Sequence, residues 1–142
     1  MHKLMSRVAA TAMAAVLATG AFAEISIKVA YDADPVSLDP YEQLSGGTLQ
    51  LSHMVFDPLV RWTQDLQFEG RLAESWEQID ATTMRFHLRK DVTFHSGNAF
   101  TAKDVDWTFD RIKESADFKG IFAPFTDVEV VDDYTIDLKT SE

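Results

Sequence analysis

The chain has 142 residues and a formal net charge of −10, because 13 Lys and Arg residues face 23 Asp and Glu residues. Such an acidic chain repels the phosphate backbone of nucleic acids and anionic lipid surfaces, which excludes binding to either. The sequence contains no cysteine, and this excludes a disulfide framework and thiol chemistry.

The first 23 residues have the features of an export signal. Lys3 and Arg7 precede an apolar run at 8–18, and the segment ends in Ala21-Phe22-Ala23 with no acidic residue. The run is too short to span a bilayer, so a signal peptide cleaved after Ala23 is favoured over an uncleaved membrane anchor. The mature chain, with 11 bases against 23 acids, then begins at Glu24 with a net charge of −12. With no cysteine to carry a lipid, it is expected to be periplasmic and without a stable membrane anchor.

Alternating apolar and polar residues predict most of the strands. A short helix is predicted from about Thr48 and should stop before Pro58, with Leu51, Met54 and Val55 on one face. The predicted strands before the second helix lie at 25–31, 59–63, 74–79, 84–90 and 92–94.

The clearest helix is predicted from Ala102 to about Ser115. Thr101 is placed to cap this helix, and Asp104 can reach back to the free backbone N–H groups of the first turn. Its core-facing residues are expected to be Val105, Phe109 and Ile112, and Phe100 and Val105 are placed to form a hydrophobic staple. Strands at 128–131 and 134–138 should then form a hairpin around Asp132 and Asp133. Interleaved strands and helices predict an α/β or α+β fold.

No constellation of catalytic residues is found. His53, His87 and His95 lack the spacing of metal ligands, and Ser45 and Ser96 lack the Gly-x-Ser-x-Gly frame of a strained nucleophile. The Gly46-Gly47-Thr48 run has no lysine for a phosphate-binding loop. The sequence therefore predicts a protein that is not an enzyme and that has no metal or cofactor.

Several short motifs follow one another in an order that resembles a known family. They are Ser37-Leu38-Asp39-Pro40, Val55-Phe56-Asp57-Pro58-Leu59-Val60, Leu72-Ala73-Glu74-Ser75-Trp76-Glu77, Phe86-His87-Leu88-Arg89, Phe94-His95, Phe100-Thr101-Ala102-Lys103-Asp104-Val105, Thr108-Phe109-Asp110-Arg111 and Val130-Val131-Asp132-Asp133-Tyr134-Thr135. Together they resemble the family 5 extracellular solute-binding proteins, which are dipeptide, oligopeptide and nickel receptors. The resemblance covers residues 25–139.

The resemblance implies a two-lobed α/β fold of the periplasmic binding protein type II, of which this chain is expected to be only the N-terminal portion. Residues 1–23 would be the signal peptide, 24–55 the start of the large hinge-bearing lobe, and 56–142 the beginning of a smaller inserted domain. The implied protein is a monomer that captures a small molecule or short peptide. It delivers that ligand to the permease subunits of an importer driven by cytoplasmic ATPases.

The motif residues Trp76, Phe86, Leu88 and Phe94 are expected to form core, and Arg89 with Asp91 a surface pair. By position in the family, ligand contacts are expected in two segments instead. Their residues are Gln43, Leu44, Ser45, Gly46, Gly47 and Thr48 in the first, and Phe118 and Ile121 in the second. Ordinary loop and core packing is the competing interpretation of each residue.

Other functions stay open from the sequence alone. The same fold could bind a nickel chelate, an opine, glutathione or an oligosaccharide. An exported sensor, chaperone or enzyme with its site in a missing part is the alternative from another class.

Overall fold

The computed structural model describes residues 26–28, 30, 34–42 and 44–141. The chain divides between Ala30 and Tyr31 into two units, and all the helices and strands given below lie in the second unit. The strand predicted at 25–31 falls partly outside the described residues. Its described residues, 26–28 and 30, are not part of a strand.

The first helix, α1, spans Gly46–Val55 and ends before Pro58 as predicted. It begins two residues earlier than expected, because Ser45 rather than a later residue caps it. The hydroxyl oxygen of Ser45 accepts the N–H of Thr48 at 3.4 Å. The two glycines therefore form the first turn of the helix instead of preceding it.

The apolar face predicted for α1 is only partly covered in the described part of the chain, where Leu51 is half-buried. Met54 and Val55 are 64% and 55% exposed, and Thr48 is the buried residue of this helix. The reason is that no described element packs extensively against the C-terminal half of α1.

Strands β1 (Val60–Trp62) and β2 (Phe68–Gly70) form an antiparallel hairpin. The first was predicted and the second was not, because three residues are too few to show an alternating pattern. Leu66 in the connecting turn has φ 57°, a left-handed conformation that is unusual for a leucine. Trp62 and Phe68 lie opposite each other, with ring centroids 4.1 Å apart.

The main sheet is antiparallel and has four strands in the order β3-β4-β6-β5. These strands are β3 (Ala73–Asp80), β4 (Thr83–Leu88), β5 (Phe125–Asp132) and β6 (Thr135–Thr140). Its apolar face carries Phe86 and Leu88, which are buried as predicted, together with Ile136 and Leu138. The predicted hairpin around Asp132 and Asp133 is confirmed as the β5–β6 pair.

The strand predicted at 92–94 is wrong. Only an isolated bridge between Thr93 and Ala99 forms there. Gly97, with φ 88°, lies in the turn that reverses the chain between these two residues. The same turn leaves Phe94 46% exposed at the edge of the core, against the prediction, although its ring packs edge-on against Phe100.

The second helix, α2, spans Ala102–Glu114. Asp104 reaches back as predicted, and its carboxylate accepts the N–H of Thr101 at 2.7 Å. The buried face of α2 carries Val105 and Ile112, and Phe109 packs partly buried against the core. This helix lies against β5, and a second side of it contacts the segment before α1 through Arg111 and Asp39.

Candidate ligand-binding face

The first predicted ligand segment coincides with the start of α1. Gln43 lies outside the described residues, and Leu44 is 41% exposed. Thr48 is only 2% exposed, and its hydroxyl oxygen accepts a hydrogen bond of 3.0 Å from the Ser45 hydroxyl. The Thr48 and Ser45 side chains thus satisfy each other within the chain.

The glycines of the first turn of α1 are open to their surroundings. A Cβ atom added at Gly46 or at Gly47 would meet no described atom within 4 Å. The first intrahelical hydrogen bond of α1 is donated by the N–H of Leu49 to the carbonyl of Ser45 at 3.0 Å. The N–H groups of the two glycines therefore point out of the helix N-terminus without an intrahelical acceptor.

The second predicted segment follows α2 directly. Phe118 is half-buried, and its N–H is bonded to the hydroxyl oxygen of Ser115 at 3.1 Å. The N–H of Ile121 is bonded to the carbonyl of Phe118 at 2.9 Å, and the Ile121 side chain is 59% exposed. This segment is therefore a tight turn that presents one apolar side chain to the outside.

Two side chains at the C-terminal end of α2 hold the chain that precedes the first segment, one from the last turn and one from the C-capping residue. The hydroxyl of Ser115 donates to the carbonyl of Tyr41, and the guanidinium of Arg111 donates to the carboxylate of Asp39 at 2.8 Å. Since Ser115 also accepts from Phe118, one hydroxyl touches the backbone on the approach to each predicted segment. The structure thus brings the chain before the first segment next to the beginning of the second.

An open cleft of about 420 Å³ lies beside these contacts. Its walls are largely aromatic, and Phe56, Phe94 and Trp107 are 47%, 46% and 62% exposed. The complete lining consists of Asp39, Pro40, Tyr41, Phe56, Phe94, Asp104, Trp107, Thr108 and Arg111.

The sequence interpretation missed the cleft and the two contacts. Asp104, Trp107 and Arg111 recur at helical spacing and form a second face of α2, and that spacing was the available signal. It was overlooked because Val105, Phe109 and Ile112 already accounted for one face. The partners of Arg111 and Ser115 are more than 70 positions away in the sequence, which no local pattern can connect.

The described residues 26–28, 30, 34–42 and 44–141 contain no group of three His, Asp or Glu side chains arranged to hold a metal ion. Within the same residues, no helix combines the length and the apolar character needed to cross a membrane.

Comparison with known proteins places these features in a family. A sequence model of the "Bacterial extracellular solute-binding proteins, family 5 Middle" matches residues 67–142, which is more than half of the chain. A relative from Bacillus subtilis, the uncharacterised protein YhjP, is 37% identical over 82 residues, or 57% of this chain and 14% of the relative. The periplasmic oligopeptide-binding protein OppA of Haemophilus influenzae is 31% identical over 85 residues, covering 59% of this chain and 16% of OppA.

The fold is also similar to that of a solved solute-binding protein. The solute-binding protein MoaA of A. tumefaciens R10, solved in complex with mannopinic acid, superposes with a TM-score of 0.67 at 32% identity. The match covers 74% of this chain and 23% of MoaA. It agrees with the predicted fold of the periplasmic binding protein type II. The chain spans about a sixth or less of the length of the two curated relatives described. It belongs to the family 5 bacterial extracellular solute-binding proteins.

Proposed function

We propose that this chain is part of a periplasmic receptor that captures a peptide-like ligand between two lobes and delivers it to an ATP-driven import permease. Family membership over residues 67–142 and the similarity to an oligopeptide-binding protein support this proposal. The observation that carries it is that the Ser115 hydroxyl bonds both to Tyr41, just before the first predicted ligand segment, and to Phe118 in the second. One face of the chain can thereby offer two loops to the same ligand.

The proposed contacts in the first segment are Gln43, Leu44, Ser45, Gly46, Gly47 and Thr48. The open N-terminus of α1 suits an anionic or strongly polar group, because its free N–H groups and the helix dipole both favour negative charge. The absence of side chains at Gly46 and Gly47 leaves room for a ligand to reach the backbone. We assign this end of α1 to the carboxylate, or to the backbone carbonyl groups, of a peptide.

Phe118 and Ile121 are the proposed contacts in the second segment. Ile121 is exposed, so it can cover an apolar part of the ligand. A few polar groups that orient a ligand, beside apolar surface that excludes water, are the usual composition of a small-molecule site.

The proposed architecture follows the expected division of the chain. Residues 1–23 would direct export and be removed after Ala23, and 24–55 would begin the large lobe. Residues 56–142 would begin the smaller domain. The receptor would act as a monomer in the periplasm, without a cofactor and without enzymatic activity.

A second class of ligand has a specific observation in its favour. MoaA, the structural neighbour described above, was solved with mannopinic acid, an opine. An opine carries a carboxylate, which the N-terminus of α1 could accept by the same interactions. We therefore treat peptides and opines as the two ligand classes to be compared first.

The test is to purify the full-length protein from the periplasm and to identify any bound molecule by native mass spectrometry. The protein is then unfolded and refolded to remove any bound ligand. Trialanine and mannopinic acid are titrated separately into this ligand-free protein by calorimetry. Saturable micromolar binding of trialanine is expected. Binding of mannopinic acid alone would select the second class, and hydrolysis of trialanine during the titration would contradict a receptor function.

A further inference from the structure

Two contacts from α2 reach the loop that precedes α1. Arg111 and Asp39 are separated by 72 positions, and Ser115 and Tyr41 by 74. Arg111 lies in the last turn of α2, and Ser115 is the residue that caps its C-terminus. The loop is thus held at two points by the C-terminal end of one helix.

Ser115 uses its hydroxyl in both directions. The side chain is buried, with the residue 5% exposed. Its O–H group donates to the carbonyl of Tyr41, and its oxygen accepts the N–H of Phe118 at 3.1 Å. Tyr41 lies three residues before Leu44, and Phe118 opens the second segment. A single buried oxygen atom therefore links the chain just before the first segment to the first residue of the second segment.

Arg111 fixes the same loop through Asp39. One carboxylate oxygen of Asp39 accepts the guanidinium N–H at 2.8 Å, and the other accepts the N–H of Tyr41 at 2.9 Å. Asp39 therefore bridges the Arg111 side chain and the backbone of the loop at Tyr41. The Arg111 and Asp39 side chains are 32% and 31% exposed, and ion pairs with such access to water contribute little to stability. The main consequence of this pair is geometric.

We propose that Ser115 and Arg111 are positioning residues that hold residues 39–41, which lead into the first predicted ligand segment, beside the turn that begins at Phe118. That the segments 44–48 and 118–121 hold a ligand rests on the proposed function. The placement of residues 39–41 does not depend on it, since it follows from the hydrogen bonds. Holding two loops in the binding arrangement before the ligand arrives reduces the ordering cost of binding.

Hydrogen exchange of the full-length protein without ligand tests whether these two residues hold the chain segments in place. Ser115→Ala and Arg111→Ala should accelerate amide exchange at 39–48 and 116–122 and leave strands β3 to β6 unchanged. Arg111→Lys should restore much of the protection, because it keeps the charge on the same face of α2. Ser96→Ala and Arg89→Ala, which alter exposed side chains elsewhere, serve as matched controls and should change neither segment.

Calorimetry with trialanine is the second readout. Affinity should fall about five- to tenfold in Ser115→Ala, corresponding to about 1.0 to 1.4 kcal/mol, and should largely return in Arg111→Lys relative to Arg111→Ala. Unchanged exchange in both segments, or acceleration spread evenly through the sheet, would overturn the proposal. If the wild-type protein binds neither trialanine nor mannopinic acid, the proposed function fails, and the exchange pattern alone decides the positioning role.

Discussion

Arg85 and Asp137 face each other across strands β4 and β6 and form a two-point ion pair. Guanidinium Nε and Nη2 each lie 2.7 Å from a different carboxylate oxygen, and Asp137 is only 7% exposed. The hydrogen bonds from Arg85 hold the pKa of Asp137 below its usual range, against the opposing effect of burial. This pair lies on the polar face of the sheet, opposite Phe86 and Ile136.

Asp137→Asn should destabilise the protein by about 1 to 2 kcal/mol at neutral pH, since the amide cannot accept both charged hydrogen bonds. The folded-state pKa of Asp137 is depressed, so its contribution is present above the unfolded-state value of about 3.9. That contribution is lost as the pH falls through the lower folded-state pKa. Urea unfolding midpoints at pH 7 and in steps below pH 4 measure this. The difference in unfolding midpoint between wild type and variant should disappear as the pH is lowered. A difference that does not change with pH would contradict the stabilising role of ionised Asp137.

Gly70→Ala should destabilise the fold by about 1 to 3 kcal/mol, because the backbone must shift to accept the new atom. A Cβ at Gly70 would lie 2.4 Å from the carbonyl oxygen of Ala73, where β2 turns into β3. Gly120→Ala is the matched control, since its Cβ would meet no described atom within 4 Å. Thermal unfolding of both variants is the measurement, and equal melting temperatures would refute the predicted clash.

Asp104→Ala should lower the free energy of unfolding by about 1 kcal/mol, the usual effect of losing the capping hydrogen bonds at a helix N-terminus. The carboxylate accepts from both the N–H and the hydroxyl of Thr101, at 2.7 and 3.1 Å. Asp106→Ala removes the same charge one position beyond the first turn, without losing these hydrogen bonds. It should lower the free energy of unfolding by a smaller amount. Chemical unfolding of the two variants separates the hydrogen bonds from the charge.

Gly46→Val should weaken ligand binding about tenfold or more, which is about 1.4 kcal/mol, if the N-terminus of α1 receives the ligand. The melting temperature without ligand should change little, because a Cβ atom at this position meets no described atom within 4 Å. Calorimetry with trialanine and unliganded thermal unfolding test the two parts together. If affinity is unchanged, or if it falls only together with the stability of the unliganded protein, this turn has a structural role and does not contact the ligand.

The exported protein should begin at Glu24. Small residues at Ala21 and Ala23 fit the two specificity positions before a signal-peptidase cleavage site. N-terminal sequencing of periplasmic protein is the measurement. A mature chain that begins at Met1, or that carries an N-terminal lipid, would contradict this prediction.

Local patterns in the sequence predicted much of the fold. Thr101 and Asp104 specify where α2 begins, because a cap acts over three residues, and the alternation around Phe86 and Leu88 identifies the buried face of β4. The ordered motifs also sufficed for the family. A short strand such as β2 has too few residues to show an alternation of apolar and polar side chains, so it was not predicted.

The candidate site depended on the tertiary structure. Asp39 and Arg111, and Tyr41 and Ser115, become neighbours only when α2 packs against β5 and turns its second face to the loop. A residue type such as serine is compatible with an exposed turn or with a buried two-way hydrogen bond, and only the packing decides between them. Sequence therefore determined most of the elements and the family. The fold determined which residues connect the chain before the first proposed ligand segment to the second, because those contacts join positions too distant for any periodic pattern.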